Sequence, residues 1–583
     1  MENRSFRRAM SFAIPDVALE CVMAYIDDPH DRHAVSLVCR KWYNIDALTR
    51  KHITIALCYT TTPARLRTRF PHLESLKLKG KPRAAMYSLG LTPEDWGGYV
   101  EPWVNQISES FNCLKSLNLR RMIVWDADLN VLVRSHGHML QELMLDKCSG
   151  FSTDGLLQVT RSCRCLRTLF LEESSIVEKD GDWLHELAVK NRVLETLNFY
   201  MTELKFINST DLELIAKNCN SLLCLKISDC EIFDLAGFFR AASNLEEFGG
   251  GSFNNVEGGD IISEYSSMSF PPNLRHVGLN YMGKNEMSML FPRASLIKKL
   301  DLQYTLLDTE DHCQLIQRCP NLEVLEVRNA IGDRGLEVVA RNCNKLRGLR
   351  IENGDDEEGV VSQKGLAILA QGCPKLEYLT AYVSDITNAA LESIGAFCKN
   401  LTDFRLVLLH KEERVTELPL DDGVRALLMG CRKLRRFTLY LQQGCLTDVG
   451  LGYIGKYGDN IRSMVLGSVG DSDAGLLELS KGCPKLQKLE MRSCWFSERA
   501  LALAVMQLKS LKYIWVQGYK ASKTGSDLLG MNRPYWNIEF IPSGQWGRIA
   551  EQPAQILAYY SLAGPRTDYP ETVVSLYPSF LGA

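Results

Sequence analysis

Residues 320–343 read PNLEVLEVRNAIGDRGLEVVARNC, and residues 374–398 read PKLEYLTAYVSDITNAALESIGAFC. Residues 484–508 follow the same plan in PKLQKLEMRSCWFSERALALAVMQL. Each unit opens with a leucine pattern L-x-x-L, continues through a turn, and ends in an amphipathic helix of about three turns. The pattern recurs with a period of about 24 to 33 residues, and weaker copies reach back to Phe70, giving about 17 units. This periodicity is typical of leucine-rich repeats.

A leucine-rich repeat predicts an α/β solenoid in the shape of a horseshoe. Short parallel strands line its inner curve, helices cover the outside, and stacking of neighbouring units supplies the core. We assign residues 55–520 to this array, with long inserts near 80–104, 353–361 and 410–420. Residues 1–13 are expected to be a flexible N-terminus, and residues 521–583 a C-terminal cap and tail.

Alternation along each strand predicts which side chains face the inner curve, because successive side chains point to opposite faces. The leucines point into the core, and the residues between them point inward to the open surface. Basic and aromatic residues are therefore predicted to meet there: Lys77, Lys79, Asn118, Arg120, Arg350, Tyr378, Tyr382, Arg405, Tyr440, Lys488, Arg492 and Trp515. Scattered charges on a solvated sheet are common, but exposed tyrosine and tryptophan beside arginine are typical of binding surfaces. The combination favours a functional inner face.

Residues 14–54 do not fit the repeat. Helices are predicted from Asp16 to Ile26, from Asp31 to Val38, and from Lys41 onward. A helical cap over the first repeat is one interpretation, since solenoids need capped ends. The order I-P-D-x-x-x-E-x-V-M-x-Y-I, D-P-x-D-R and V-S-L-V-C-R-K-W is more specific and resembles an F-box, a module that docks on the Skp adaptor of a cullin ubiquitin ligase.

Composition excludes several other classes of protein. The 583 residues carry a formal net charge of −3, which argues against a general nucleic-acid binder. No apolar stretch is long enough for a membrane span, and no signal peptide is recognised, so the protein is expected inside the cell. The 19 cysteines mostly close helical segments and are predicted to be reduced structural thiols. No metal site and no catalytic motif is found, so the chain is not expected to be an enzyme.

One apparent motif is discounted. Residues 450–455 read GLGYIG and match G-x-G-x-x-G, which binds dinucleotides only between a buried strand and the start of a helix. Here the glycines are predicted to lie inside a repeat helix. We therefore expect no dinucleotide site.

Longer segments identify a plant family. They are LKLKGKPRAAM at 76–86, WGGYVEPWV at 96–104, EVLEVRNAIGDRGLEV around 323–338, and ILAYYSLAGPRTD at 556–568. With the F-box and the repeats, they resemble the coronatine-insensitive protein family of jasmonate receptors. The resemblance covers nearly the whole chain, from about residue 14 to about residue 570. Auxin-receptor F-box proteins share the architecture but match these segments less well.

The resemblance implies a substrate-recognition subunit of a Skp–cullin–F-box ubiquitin ligase. It would bind jasmonoyl-isoleucine or coronatine, recruit JAZ transcriptional repressors for ubiquitination, and act in the nucleus and cytoplasm. Its implied hormone contacts are Arg83, Ala84, Met86, Tyr87, Leu89, Arg350, Tyr382, Arg405, Tyr440, Val465, Arg492 and Trp515. An inositol polyphosphate, expected to be the pentakisphosphate, would be held by Lys77, Lys79, Arg120, Arg121, Tyr378, Arg405 and Lys488. The implied Skp contacts are Pro15, Val17, Val22, Val38 and Trp42.

Three positions depart from the family pattern. Tyr87 stands where phenylalanine is expected, and Asn118 replaces a histidine near the polyphosphate. Gly348 stands where a basic residue is expected, with Arg347 displaced toward the core-facing side. These departures bear on the polyphosphate more than on the hormone. Two alternatives stay open: an auxin-type hormone receptor with the same fold, and a repeat scaffold with no role in a ligase.

Overall fold

The computed structural model describes residues 16–26, 28–82, 96–205, 207–253, 265, 268–353, 360–409, 418–522, 526–543 and 553–576. Within these residues, one continuous sheet of 21 strands forms the inner layer and helices form the outer layer. Eighteen strands of the sheet run parallel, and the last three run antiparallel to their neighbours. This is the predicted α/β solenoid of leucine-rich repeats, and its 18 parallel strands are close to the predicted number of about 17 units.

The strands follow the chain in order. Those from the first half are β1 (His52–Ile55), β2 (Ser75–Lys79), β3 (Ser116–Arg120), β4 (Glu142–Asp146), β5 (Ser149–Ser152), β6 (Thr168–Phe170), β7 (Ser175–Val177), β8 (Thr196–Asn198), β9 (Cys224–Lys226), β10 (Glu247–Gly250) and β11 (His276–Leu279). Those from the second half are β12 (Lys299–Asp301), β13 (Val324–Arg328), β14 (Gly348–Glu352), β15 (Tyr378–Val383), β16 (Asp403–Leu408), β17 (Arg436–Tyr440), β18 (Ser463–Gly467), β19 (Lys488–Arg492), β20 (Tyr513–Gln517), β21 (Trp536–Ile541), β22 (Gln555–Tyr560) and β23 (Val574–Ser575). Only β5 and β7 pair apart from the main sheet among the strands described.

The helices connect these strands and cover the outside of the array. The first four are α1 (Asp16–Ala24), α2 (Pro29–Ser36), α3 (Arg40–Thr49) and α4 (Pro63–Arg69). The others span Glu101–Ser110, Asp126–His136, Thr153–Ser162, Trp183–Lys190, Ser209–Asn218, Ala236–Ala241, Thr309–Ile316, Gly332–Asn342, Gln363–Gly372, Asn388–Phe397, Asp421–Gly430, Asp448–Tyr457, Asp473–Ser480 and Glu498–Gln507. Short 3-10 turns replace a helix at Cys58–Thr60, Ile232–Leu235, Glu286–Leu290, Ala294–Leu296, Asn329–Ile331 and Ser526–Met531. The GLGYIG sequence at residues 450–455 lies inside the helix Asp448–Tyr457, which confirms the prediction that its glycines belong to a repeat helix.

Leucines and cysteines fill the space between the two layers. Leu325 and Val327 of β13 are fully buried, and the alternate side chains Val324, Glu326 and Arg328 are not, as alternation predicts. None of the 19 cysteines, all of which lie within the described residues, forms a disulfide. The Cys343 thiol donates to the backbone oxygen of Cys319 in the preceding unit at 3.7 Å, and burial raises its pKa to about 12. The cysteines that close the repeat helices, such as Cys319, Cys343 and Cys373, are buried and serve as small core side chains, as predicted.

The N-terminal module consists of α1, α2 and α3, in agreement with three predicted helices. Helix α2 begins at Pro29, two residues before its predicted start. The sheet begins with β1 at His52, where β1 pairs with β2. This start lies two residues before the predicted end of the module. Asp46 of α3 is 1% exposed and joins the module to the first repeat through Arg69 of α4 at 3.1 Å.

The C-terminal segment closes the array on itself. Strand β22 pairs antiparallel with both β20 and β21. Just beyond it, the backbone NH of Leu562 donates to the oxygen of Thr60 at 2.8 Å. A cluster of buried and half-buried side chains then joins the two ends of the chain, and we call it the clasp: Tyr59, Trp96, Glu539, Tyr559, Arg566 and Asp568.

The clasp holds one long insert at its base. Arg566 lies 4.4 Å from the Trp96 ring centroid and donates to the Trp96 oxygen, while Trp96 Nε1 donates to Glu539 at 2.9 Å. The backbone at Gly98 approaches that of Gly80, so the insert leaves and rejoins the array at one place. The insert is shorter than predicted, because residues 101–104 already belong to the helix Glu101–Ser110. Most of the other two predicted inserts lie outside the described residues.

Candidate ligand-binding inner face

The register of β14 to β20 arranges the inward side chains in three rows. The amino-end row contains Tyr378, Asp403, Arg436, Ser463, Lys488 and Tyr513. The central row contains Arg350, Thr380, Arg405, Thr438, Val465, Glu490 and Trp515. The carboxyl-end row contains Tyr382, Val407, Tyr440, Gly467, Arg492 and Gln517. The outer rows lie about 13 Å apart, since a strand rises about 3.3 Å per residue.

Apolar side chains cluster where the central and carboxyl-end rows meet. Tyr382, which is 7% exposed, packs with buried Val407, and Leu409, Tyr440 and Val465 lie against them. The Tyr440 ring lies over Gly467 of the next strand, where an added Cβ would come within 1.9 Å of it. Three of the predicted hormone contacts therefore share one apolar surface.

Two arginines border this surface. Arg350 and Arg405 both pair with Thr380 of β15, so they occupy the same row two strands apart. Arg405 donates to the Tyr382 hydroxyl at 3.1 Å, and its buried Nε has no hydrogen-bond partner among the described residues. Arg350 forms a salt bridge with Glu352 at 2.7 Å. Burial would lower the pKa of Arg350, but Glu352 and Glu326 outweigh it and raise the pKa.

A basic cluster forms where the two ends of the array meet. Burial, together with the charges of Lys77, Arg120, Arg121 and Lys488, lowers the pKa of Lys79 to about 8. Lys488 comes from β19 and the others from β2, β3 and the turn after β3, so the cluster exists only because the array closes. Burial is the larger cause, and the neighbouring cations add to it, so this cluster is a candidate site for an anion.

Some of these cations already have partners. Arg120 pairs with Asp146 at 3.0 Å, and Lys488 pairs with Glu490 at 2.7 Å. Arg121 has a positive φ of 52° and donates through Nε to the backbone oxygen of Lys81 at 2.8 Å, which turns it toward the base of the first insert. The cluster keeps an excess of positive charge after these pairs are counted.

Tyr378 and Arg405 lie farther along the sheet from this cluster. Tyr378 fills the place of a side chain at position 348, because a Cβ on Gly348 would come within 1.9 Å of its ring. Burial is the main cause that raises the pKa of Tyr378 to about 12. Arg347 is exposed and pairs with Glu377 at 2.8 Å, so the expectation that it turns toward the core is wrong. The residue before a strand lies outside the alternation that orders the strand itself.

Trp515 lies in the central row, as predicted, but is only 1% exposed. Its ring packs with Trp96 and Leu557, and its Nε1 donates to Gln555 at 3.1 Å. The expectation of an exposed tryptophan is therefore wrong, because β22 and the base of the first insert cover it. Sequence reasoning treated the tail as a separate cap and missed this cover.

Five of the predicted hormone contacts cannot be placed. Arg83, Ala84, Met86, Tyr87 and Leu89 lie outside the described residues.

A large cavity opens from the basic cluster toward the N-terminal module. It has a volume of about 1050 Å³ and extends from Lys79, Arg121 and Lys488 to α3 and α4. Tyr513 and Lys512 also line it, and Glu490 is fully buried beside Lys488. The alternation rule places Tyr513 and Glu490 on the inner face, so the signal for both was present in the sequence. Nothing in the sequence pattern identified Lys512 or α4.

The N-terminal module keeps an apolar face uncovered. Leu19, Met23 and Ile45 form its small core, and Trp42 packs against them. Val17, Val22 and Val38, three of the predicted Skp contacts, are 70%, 60% and 60% exposed. These three valines therefore lie on the outside of the module, and Leu19 and Met23 of the same helix α1 as Val17 and Val22 supply its core. Pro15 lies outside the described residues.

Comparison with known proteins shows which family has this architecture. Residues 11–52 match the F-box family, and residues 71–119 match the Transport inhibitor response 1 protein domain. The chain is 62% identical to Coronatine-insensitive protein 1 from Arabidopsis thaliana, over 98% of this chain and 99% of the relative. The chain belongs to the coronatine-insensitive protein family. Coronatine-insensitive protein homolog 1b from Oryza sativa subsp. japonica is 62% identical to it over 99% of both chains.

Other relatives are less similar to this coronatine-insensitive family member. GRR1-like protein 1 from Arabidopsis thaliana is 34% identical to it, over 97% of this chain and 98% of the relative. The family resemblance inferred from the sequence segments is thus confirmed. Membership in an F-box family implies an adaptor that is not itself catalytic and that works with a Skp protein and a cullin. No helix in the described part of the chain is long and apolar enough to cross a membrane.

Proposed function

We propose that this protein is the substrate-recognition subunit of a Skp–cullin–F-box ubiquitin ligase and a co-receptor for jasmonoyl-isoleucine. In this role it binds the hormone, or its mimic coronatine, on the inner face. The filled site then recruits JAZ repressors, which the ligase complex ubiquitinates. The proposal places the protein in the nucleus and cytoplasm.

The observation that carries the hormone proposal is the pairing of arginines with an apolar cluster. Jasmonoyl-isoleucine joins an apolar ring to a carboxylate, and both parts need a complement. Arg350 and Arg405 offer planar forks that match a carboxylate bidentately. Tyr382, Tyr440 and Val465 offer the apolar wall. The unsatisfied Nε of Arg405 supports an anionic ligand, because a buried donor without a partner is costly.

The basic cluster supports a second ligand, an inositol polyphosphate. Lys77, Lys79, Arg120, Arg121 and Lys488 repel one another, and one carboxylate would leave most of that repulsion in place. Several phosphate groups on one ring would neutralise cations from both ends of the array at once. The polyphosphate would then stabilise the closed array beneath the hormone. The departure from the family pattern at Gly348 affects this proposed site, because Tyr378 occupies the space of the expected basic side chain.

A hormone-dependent pull-down tests the function. The full chain with its Skp partner is incubated with a JAZ degron peptide and jasmonoyl-isoleucine, auxin or no hormone. Capture only with jasmonoyl-isoleucine is expected. Capture with auxin alone would replace the jasmonate proposal with an auxin-type receptor.

Skp copurification tests the ligase role. The full chain is expected to retain Skp, and a chain lacking residues 1–54 is expected to lose it. If the full chain does not retain Skp, the result would support a repeat scaffold without a role in a ligase. A truncated chain that still retains Skp would show that the contact lies elsewhere.

A further inference from the structure

The cavity beneath the inner face has an unusual charge distribution. Seven lysines and arginines line it, and no carboxylate does so among the lining residues that the structure describes. Three of them belong to the basic cluster at its inner end: Lys79, Arg121 and Lys488. The other four lie toward the N-terminal module: Arg50, Arg65, Arg69 and Lys512. We call these four the outer basic group.

The cavity lies on the side of the array that carries the N-terminal module. Gln487 and Lys512 precede β19 and β20, so the lining lies at the amino ends of these strands. Tyr43 of α3 and Phe70, just after α4, complete the wall on that side. The apolar cluster for the proposed hormone lies toward the carboxyl ends, about 13 Å away across the sheet. The cavity therefore faces the F-box side and not the hormone side.

The outer basic group holds more positive charge than its carboxylate can balance. Asp46, which is 1% exposed, forms salt bridges with Arg32 at 3.3 Å, Arg50 at 3.0 Å and Arg69 at 3.1 Å. The Arg69 guanidinium lies 3.5 Å from the Tyr43 ring centroid, and its buried Nη1 has no hydrogen-bond partner within the described chain. Three cations around one carboxylate leave a local excess of positive charge.

Two further cations at this end are exposed. Arg65 and Lys512 both reach solvent and form no salt bridge with any residue that the structure describes. A cavity lined by charge of one sign focuses the field and raises the local concentration of counter-ions. The outer basic group therefore attracts anions from the F-box side toward the inner cluster.

We propose that this cavity is the route by which a polyphosphate reaches and leaves the basic cluster, with Arg65, Arg69 and Lys512 forming an outer anion-binding position. The inference rests on the proposed polyphosphate site and adds how that site is filled. Its ligand class is a phosphate ester carrying several phosphate groups. Because the route opens on the F-box side, the polyphosphate exchanges without displacement of hormone or repressor from the other side.

Association kinetics test the route directly. Full-length protein with its Skp partner, washed free of phosphate, is mixed with inositol hexakisphosphate at low and high salt. Arg65→Glu with Lys512→Glu is expected to slow association at least tenfold at low salt, with the difference shrinking at high salt. The dissociation constant is expected to change less than the association rate. The matched control, Arg161→Glu with Lys364→Glu, makes the same charge change on exposed outer helices and is expected to associate like the parent.

Two outcomes overturn the route. Association of the Arg65→Glu, Lys512→Glu protein at the rate of the control would show that the outer group does not guide the ligand. Exchange of labelled inositol hexakisphosphate that stops when jasmonoyl-isoleucine and a JAZ peptide are bound would place the route on the hormone side. Failure of the polyphosphate site itself would give a different result. The parent would then bind no inositol hexakisphosphate, or would bind it no more tightly than Lys488→Ala does.

Discussion

Replacing Arg566 with alanine is expected to open the clasp. The Arg566 side chain is 1% exposed, and its Nη1 lies 3.9 Å from Glu539 Oε2, on a carboxylate that is fully buried. Removing the arginine leaves that buried carboxylate with hydrogen bonds from Trp96 and Tyr559 but without its cation. Loss of one partner of a buried pair costs roughly 3–5 kcal/mol. The lost contacts with the Tyr59 and Trp96 rings add to this cost.

The damage should remain local, because each unit of a repeat array contacts only its neighbours. Hydrogen exchange read by mass spectrometry is the suitable assay. Amide protection in β22 is expected to fall by roughly a hundredfold to several thousandfold, since each 1.4 kcal/mol is about tenfold. Protection in β14 and β15 is expected to stay unchanged.

A matched control removes an exposed arginine. Arg436 pairs with Asp403 at 2.9 Å, but its side chain is 72% exposed. Arg436→Ala should cost less than about 1 kcal/mol, because exposed pairs contribute little. Equal protection of β22 in Arg566→Ala and in the parent would refute the clasp.

A compensating variant separates charge from packing. Burial raises the pKa of Glu539 although Arg566 opposes it, so the carboxylate is already poorly tolerated. Glu539→Gln in the Arg566→Ala background should recover part of the protection. A double variant that is no more protected than Arg566→Ala would mean that ring packing, and not charge, holds the clasp.

Other outcomes follow from the inner face. Inositol hexakisphosphate should bind more weakly at pH 9 than at pH 7, because the Lys79 pKa of about 8 is raised again by a bound anion, so that binding takes up a proton. Calorimetry in two buffers measures that proton, and Lys79→Arg should abolish the part that Lys79 takes up. Tighter binding at pH 9 would contradict the prediction. Arg350→Ala and Arg350→Lys should each weaken hormone-dependent JAZ peptide binding more than about thirtyfold in a polarisation assay with the fold intact by circular dichroism; parent-like binding by both would remove Arg350 from the site. Gly348→Ala should displace the Tyr378 ring, destabilise the fold by roughly 1–3 kcal/mol and weaken inositol hexakisphosphate binding, whereas an unchanged melting temperature would mean that the ring moves freely.

The repeat pattern alone was enough to predict the architecture. Leucines such as Leu325 and Leu379 recur at positions that stacked strands bury, and this spacing together with the period is typical of leucine-rich repeats. Alternation then correctly placed Arg350, Tyr382 and Arg405 on the inner face. These are local rules, because a side chain's face depends on its position within one strand.

The covered and converging residues could not be predicted in this way. Trp515 obeys the alternation rule but is covered by β22, which arrives from 40 residues farther along the chain. Val17 and Val22 lie on the same helix as Leu19 and Met23, yet only the packing of α1 on α3 decides that the two valines stay exposed. Local period gives orientation within an element and says nothing about what covers it.

The sequence by itself determined the family, the repeat, the F-box and the set of inward-facing side chains. Tertiary structure decided which of them meet. Tyr59 and Asp568 are hydrogen-bonded although 509 residues separate them, and Lys79 feels the charge of Lys488 for the same reason. Closure of a solenoid sums a small rotation at every repeat, so no single segment encodes it. The basic cluster and the cavity that leads to it are properties of that sum.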